Sequence, residues 1–207
     1  LAGLAAATPY LIRAELPYGS RPTTYYSEDF ESPFHGYTAG NLPALSQTGW
    51  PTAYGQPIAN GNLWHVSALR GDEPGHSPSH SLYFGNDTTA QGYPHYEIGR
   101  VGGSLRREIV VPSGTDLRLT FNSWAEAYTN STALQEIIEV GIEETVGGQT
   151  QYTRLVTSWA DAPASLRRLD SHAARWVTVT ADMSAYQGRT VVLVLSFAAG
   201  DDRRANN

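Results

Sequence analysis

The chain of 207 residues is long enough for one β-sandwich domain of ordinary to large size, and nothing in its composition divides it. Only 16% of the residues are charged, while 20 Gly and 12 Pro favour short strands and turns over long amphipathic helices. The formal charge of −6 argues against nucleic acid as a partner, and the lack of cysteine excludes disulfides and thiolate zinc sites. No apolar stretch approaches the ~20 residues that span a bilayer.

The first segment of the chain, residues 1–24, differs in pattern from residues 25–207. It starts with an apolar stretch, and part of it alternates between apolar and other residues with the period of a half-buried strand. The residues on one side of this alternation are Tyr10, Ile12, Ala14 and Leu16. We predict that residues 1–24 form an arm that joins a sheet as an exchanged strand, and that residues 25–207 form one domain. A linker or a frayed terminus is the alternative.

Short strand patterns separated by turn clusters fill the rest of the chain. The predicted strands are Ser27–Glu31, Leu63–Leu69, Ser81–Phe84, Ser104–Val111, Leu117–Trp124, Leu134–Ile142, Tyr152–Ser158, Trp176–Thr180 and Thr190–Phe197. Pro112 to Asp116 is rich in turn residues, so we expect the strands on either side of it to pair with each other. Thr190–Phe197 is apolar on both faces, which is typical of a central covered strand or of a strand facing a partner. The pattern favours an all-β, two-sheet antiparallel jelly-roll sandwich.

Several short motifs in fixed order carry a family resemblance. Over residues 28–202 the chain resembles the MAM-like, concanavalin-type jelly-roll domain found in secreted immune inhibitor A-type metalloproteases and in bacterial surface proteins. The resemblance implies an extracellular or cell-surface module for adhesion or ligand binding, often with a structural calcium ion. The motifs that carry it are Glu28–Ser32, Gly49-Trp50, Leu63–His65, Ser81–Asn86, Leu119–Trp124 and Asp182–Gly188.

The resemblance also implies which residues bind the calcium ion. The early Asp-Phe-Glu motif of the family matches Asp29, Phe30 and Glu31, and its acidic residue ahead of a central strand matches Glu136. The predicted metal ligands are therefore Asp29, Glu31 and Glu136. The alternation of the strand also places Glu136 on an apolar face, where a carboxylate must be paired, hydrogen-bonded or metal-bound. A solvent-exposed strand end or an arginine partner is the alternative for Glu136.

The chain departs from the family pattern after its last apolar strand. Family members continue to a closing Gly-Trp-x-x-Asp-Asp strand, whereas this sequence runs from Asp201 to Asn207 without one. We expect a sandwich that lacks its closing strand and has an open sheet edge. The arm, Tyr10 to Leu16, is the candidate to fill that edge in its own subunit or in a neighbour. Truncation of a longer protein is the alternative.

The usual catalytic patterns are missing from the sequence. Glu136 and Glu139 are three residues apart, which places them on opposite faces of a strand instead of in a glycosidase pair. His76 and His80 lack the helical spacing of a zinc protease, and no Gly-x-Ser-x-Gly motif occurs. We predict that the protein has no catalytic residues. Polysaccharide hydrolysis through Glu136 or Glu139 remains the catalytic alternative.

Several residues suggest a contact with sugars. The candidates for ligand stacking are Trp50, Trp64, Tyr93 and Trp159, although most Trp residues of a sandwich lie in its core. Asn86 and Asn130 each start a glycosylation sequon within a predicted turn.

These observations lead to one hypothesis and one alternative. The hypothesis is a non-catalytic, extracellular structural or adhesion subunit, stabilised by calcium, that forms homo-oligomers or filaments by exchange of its N-terminal strand. The alternative is a carbohydrate-binding or adhesion accessory domain of a larger secreted hydrolase. Further copies of the chain and glycans are the predicted partners.

Overall fold

The computed structural model describes residues 13–18, 21–24, 26–31, 36–40, 59–60, 64–68, 79–84, 101–114, 116–124, 136–158, 162–169 and 175–199. These residues form strands, turns and a short 3-10 helix, Ser184–Tyr186, and include no α-helix. The strands are β1 (Arg13–Tyr18), β2 (Arg21–Thr24), β3 (Thr38–Gly40), β4 (Ala59–Asn60), β5 (Trp64–Ser67), β6 (Ser81–Phe84), β7 (Val101–Val110), β8 (Arg118–Ser123), β9 (Glu136–Val146), β10 (Gln149–Thr157), β11 (Val177–Asp182) and β12 (Thr190–Ala199). In this part of the chain, no helix has the length and apolar character of a membrane-crossing segment.

The strands form two large sheets and one small sheet. The six-stranded sheet has the order β10, β9, β12, β7, β3, and β4 adds to it by pairing in parallel with β7. The four-stranded sheet has the order β11, β8, β1, β2, and β5 pairs with β6 alone. All pairs of named strands except β4 with β7 are antiparallel. For the described residues, the prediction of an all-β fold with antiparallel sheets is confirmed, apart from the parallel pair of β4 and β7.

The hydrophobic core lies between the two large sheets. Val191 and Leu193 of β12 belong to the same buried cluster as Leu119 of β8 and Val179 of β11. Because neighbouring residues of a strand point to opposite faces, one face of each sheet contributes to this cluster. We call the other face of the six-stranded sheet its outer face. Glu139 and Val194 lie on the outer face and are nevertheless buried.

The longest strands follow the local sequence pattern closely. β12 is rich in β-branched residues and lies between β9 and β7, with buried side chains on both of its faces. β9 and β10 form a hairpin whose turn, Gly147-Gly148, has positive φ angles of 60° and 80°. Glycine adopts this conformation without steric cost, which explains the tight turn at this position.

The predicted pairing of Ser104–Val111 with Leu117–Trp124 is wrong. β7 pairs with β12, β3 and β4, whereas β8 belongs to the other large sheet. The turn between them crosses from one sheet to the other because Val111 and Leu117, at its two ends, are both buried in the shared core. Turn residues indicate where the chain reverses direction, but burial in the core decides which sheet each of the two flanking strands joins.

The predicted strand Ser27–Glu31 is also wrong, since residues 26–31 form a loop. Phe30 has a φ of 56°, which is incompatible with a strand. The Glu28 carboxylate accepts a hydrogen bond from the Phe30 N–H at 3.2 Å, and the Asp29 carboxylate accepts one from the Glu31 N–H at 3.1 Å. These local bonds compete with strand pairing for the backbone donors. The other predicted strands each overlap a strand of the structure.

Candidate functional site

The predicted calcium residues Asp29 and Glu31 lie together in the loop 26–31. Glu31 binds a second loop: its Oε1 accepts the backbone N–H groups of Ser79 and His80 at 3.0 and 2.9 Å. Its Oε2 lies 2.9 Å from the His80 Nδ1. The carboxylate therefore joins two segments that are 48 residues apart in the sequence.

These contacts bear on whether the loop fits a calcium ion. Calcium takes six to eight oxygen ligands. Among the described residues, no group of three or more His, Asp or Glu side chains is placed to hold a metal. The loop contains three carboxylates, but that of Glu28 is bound by Arg107, and both oxygens of Glu31 already have polar partners. Glu136 is the first residue of β9, and its side chain lies outside the described residues. Calcium binding stays a prediction.

A buried ion pair fixes the loop 26–31 to the six-stranded sheet. Glu28 is buried and accepts a hydrogen bond from Arg107 Nη1 of β7 at 2.9 Å. The Arg107 guanidinium lies 4.2 Å from the ring centroid of Tyr26 and 5.2 Å from that of Tyr37. Cation–π contacts and a charge-assisted bond thus meet at one arginine. The sequence signal for this cluster is the two-residue spacing of Leu105, Arg107 and Ile109, which places a charged residue on an apolar face.

The tyrosines around Arg107 stay neutral over a wide pH range. Burial raises the pKa of Tyr37 to about 12. Burial, followed by the influence of neighbouring Tyr37, also raises the pKa of Tyr26 well above its ordinary value. The charged form of a phenol is penalised where water is excluded. Both phenols therefore keep their protons at physiological pH.

The most buried carboxylate of the described residues is Glu139, on the outer face of β9. Its side chain is 0% exposed. Its Oε1 accepts a hydrogen bond from the Tyr152 hydroxyl at 2.6 Å, and its Oε2 accepts one from Arg154 Nε, both from β10. The Tyr152 ring crosses Gly141, where a β-carbon would clash with it. Sequence reasoning drew attention to Glu136 because it treated only one face of the strand as buried.

A second ion pair spans the same face. Arg106 of β7 reaches across β12 and donates two hydrogen bonds to Glu143 of β9, each 2.9 Å long. This bidentate geometry is the strongest form of the arginine–carboxylate contact. Arg106 also donates to the Ser104 hydroxyl, whose Cα partner on β12 is Ser196. Arg106 and Glu143 thus connect β7 with β9 across β12.

The arm pairs with strands of its own chain. β1 contains Ala14 and Leu16 and forms a hairpin with β2 over four register pairs. It joins β8 over two register pairs, Arg13 with Thr120 and Ala14 with Leu119. β8 joins β11 on its other side over six pairs. Tyr10 and Ile12 lie outside the described residues.

Trp64, one of the residues predicted to stack on ligands, packs against other residues of the fold. Its Nε1 donates a hydrogen bond to the Gly103 carbonyl at 3.1 Å. Its ring contacts the Phe84 ring edge-on, with the ring centroids 5.2 Å apart. The other stacking candidates and both sequons lie outside the described residues: Trp50, Tyr93, Trp159, Asn86 and Asn130.

Comparison of the sequence and the structure with known proteins gives no match. No family model matches the chain, and neither a curated protein nor a solved structure does.

Proposed function

We propose that the protein is a non-catalytic structural or adhesion module of the cell exterior, a MAM-like jelly roll that associates with further copies of itself through its N-terminal arm. The observation that carries this proposal is the short junction of the arm with the sheet. Among the described residues, β1 meets β8 over two register pairs, whereas β8 meets β11 over six.

A short junction favours exchange for a simple reason. Strand exchange replaces contacts within one chain by the same contacts between two chains, so its main cost is releasing the arm. That cost grows with the number of backbone bonds broken. Four of the six arm residues in β1 pair with β2 and move with it, which leaves the two pairs at β8 as the contact to break between described strands.

The carboxylates of β9 support a non-catalytic role. Glu139 is bound by Tyr152 and Arg154, and Glu143 by Arg106. Glu144 accepts a hydrogen bond from Arg189 at 2.7 Å. Hydrolysis of glycosides needs two carboxylates that face the same substrate bond. These three instead make separate contacts with arginines of the fold.

A cysteine pair tests the exchange directly because the chain has no cysteine of its own. Arg13→Cys with Thr120→Cys places two thiols on directly paired residues of β1 and β8. If the arm is exchanged, oxidation links separate chains, and a non-reducing gel shows covalent oligomers. Cross-links that form only within single chains at every protein concentration would overturn the exchange.

The hairpin provides a matched control. Tyr18 pairs with Arg21 within the arm itself, so Tyr18→Cys with Arg21→Cys must link within one chain in either case. Any oligomers from this control measure random collision and are subtracted.

Calcium binding is the second part of the proposal, supported by the Asp29 and Glu31 carboxylates in one loop. An ion that binds only the folded state at 100 times its Kd adds about 2.7 kcal/mol of stability. We expect a chelator to lower the melting temperature of the wild type, and Asp29→Asn with Glu31→Gln to remove that effect. Equal melting temperatures with calcium and with chelator would refute this part.

A second candidate function is binding of neutral glycans. Trp124 directly follows β8 and Trp176 directly precedes β11, and their ring centroids lie 5.7 Å apart. Beside them Thr178 contacts Asn122 at 2.6 Å, and Thr120 contacts Thr180 at 3.3 Å. Aromatic rings next to hydroxyl and amide groups suit the faces and hydroxyls of sugars. A glycan array with wild type and Trp176→Ala tests it, and equal signals from both proteins would rule out this surface.

A further inference from the structure

The outer edge of β10 differs from the other sheet edges of the described residues. β10 ends the six-stranded sheet and pairs with β9 on one side. On its other side, the backbone bonds to described residues are confined to Thr157, which donates to the Leu166 carbonyl at 2.8 Å and accepts from the Leu169 N–H at 3.4 Å. Among the described residues, the backbone from Gln149 to Thr153 has no strand partner on that side.

At the edge of the four-stranded sheet, by contrast, an arginine side chain binds the backbone of the edge strand. β11 ends the four-stranded sheet, and Arg168 Nη1 donates to the Thr180 carbonyl at 2.8 Å along it. A side chain therefore occupies an acceptor that an added strand would use. Natural sheets protect edges in this way, or with lysine, proline or a bulge, because an open edge is a template for another strand.

The five residues at the start of β10 carry none of these protections. They read Gln149-Thr150-Gln151-Tyr152-Thr153, with no charge and no proline. All are exposed except Tyr152, which is partly buried. The irregularity in β10 comes only after Arg154. The Tyr152 hydroxyl is held by the buried Glu139 at 2.6 Å, so this part of the edge is already ordered.

We propose that this edge binds the same edge of a second copy of the chain, antiparallel, about a twofold axis at Gln151. Two identical strands pair in this way without any second sequence. In this register Gln151 faces its own copy, and Thr150 faces Tyr152, a pairing of β-branched and aromatic residues that favours strand association. Gln149 faces Thr153.

Charge supports this register. Arg154 faces Gly148, the second residue of the turn, which has no side chain, so no like charges oppose each other. The two six-stranded sheets become one continuous sheet across both subunits. Five residues per strand make a small interface, so the contact is weak and depends on protein concentration. It deepens the proposed self-association by naming a second surface, and it does not use the arm.

Charge variants at Gln151 test the contact without touching the core. Gln151→Lys or Gln151→Glu places two like charges face to face on the axis, which is destabilising. We expect each variant to raise the dimer dissociation constant in sedimentation at least tenfold over wild type. A 1:1 mixture of the two variants brings opposite charges together and restores dimers. Unchanged dissociation constants for both single variants would overturn the proposal.

A single cysteine gives an independent readout. Gln151→Cys places two thiols on the axis, so oxidation should give covalent dimers at least ten times faster than Ser113→Cys, an exposed control in another loop. Equal rates would overturn the register. If Gln151→Cys gives fast covalent dimers while Arg13→Cys with Thr120→Cys gives only links within one chain, arm exchange is refuted and the β10 contact is supported. If the Arg13 and Thr120 cysteines link separate chains while Gln151→Cys reacts no faster than its control, the β10 contact is refuted and arm exchange is supported.

Discussion

Replacing Arg154 with leucine should severely destabilise the fold, because Glu139 depends on it. Glu139 is 0% exposed and Arg154 18% exposed, so the ion pair is shielded from water on the carboxylate side. Removing one partner of a buried pair leaves an uncompensated charge and costs about 3–5 kcal/mol. Tyr152 still donates one hydrogen bond, which does not replace the lost positive charge.

The magnitude can be compared with total stability. Domains unfold at a cost of about 5–15 kcal/mol, so Arg154→Leu would remove a large share. For a chain of this length, 1 kcal/mol shifts the melting temperature by about 2–4 °C, which gives a fall of about 6–20 °C. Tyr152→Phe removes a hydrogen bond but keeps the ion pair, and should cost only about 1–3 kcal/mol.

Chemical denaturation and thermal melting followed by circular dichroism measure both variants. The double variant Glu139→Leu with Arg154→Leu is the matched control, since replacing both charges by apolar side chains is often close to neutral. It should be more stable than Arg154→Leu alone. A loss below about 1 kcal/mol for Arg154→Leu, or no recovery in the double variant, would refute the dependence of Glu139 on Arg154.

Two further predictions concern the same sheet and the tyrosine cluster. Gly141→Ala should cost about 1–3 kcal/mol in denaturation experiments, because its β-carbon would displace the Tyr152 ring; a wild-type melting curve would contradict that packing. The pKa of Tyr37 is raised to about 12, so burial of its neutral phenol contributes stability that is complete below pH ~10 and is lost as pH rises through 12. Alkaline unfolding of Tyr37→Phe should therefore show a weaker pH dependence, and curves parallel to wild type would count against it.

Strand positions were largely predictable from local pattern. β12 begins at the predicted Thr190 and extends two residues past the predicted end at Phe197. The predicted Ser81–Phe84 coincides with β6. Alternating and β-branched residues act through the strand itself, so they are visible in the sequence. The loop 26–31 departs from its pattern because the side chains of Glu28 and Asp29 bind neighbouring backbone N–H groups, a local competition that alternation does not reveal.

The candidate site was less accessible to sequence reasoning. Asp29 and Glu31 were identified, but the partner of Glu31 is the backbone of Ser79 and His80, which carries no sequence signature. The sequence spacing placed Glu139 on the face of the strand opposite Glu136, but the burial of Glu139 was not foreseen. Both faces of β9 are buried, so an apolar face alone cannot show which carboxylate needs a partner.

By itself, the sequence determined that the described part of the chain is built of strands, because strand formation depends on the period of its apolar residues and on its glycines and prolines. Tertiary structure decided which strands are neighbours. β7 and β8 are adjacent in sequence but belong to different sheets, since Val111 and Leu117 are both buried in the core between them. It also decided that β1 joins β8 and that β10 forms a sheet edge. Both depend on contacts between distant segments, which no local pattern encodes.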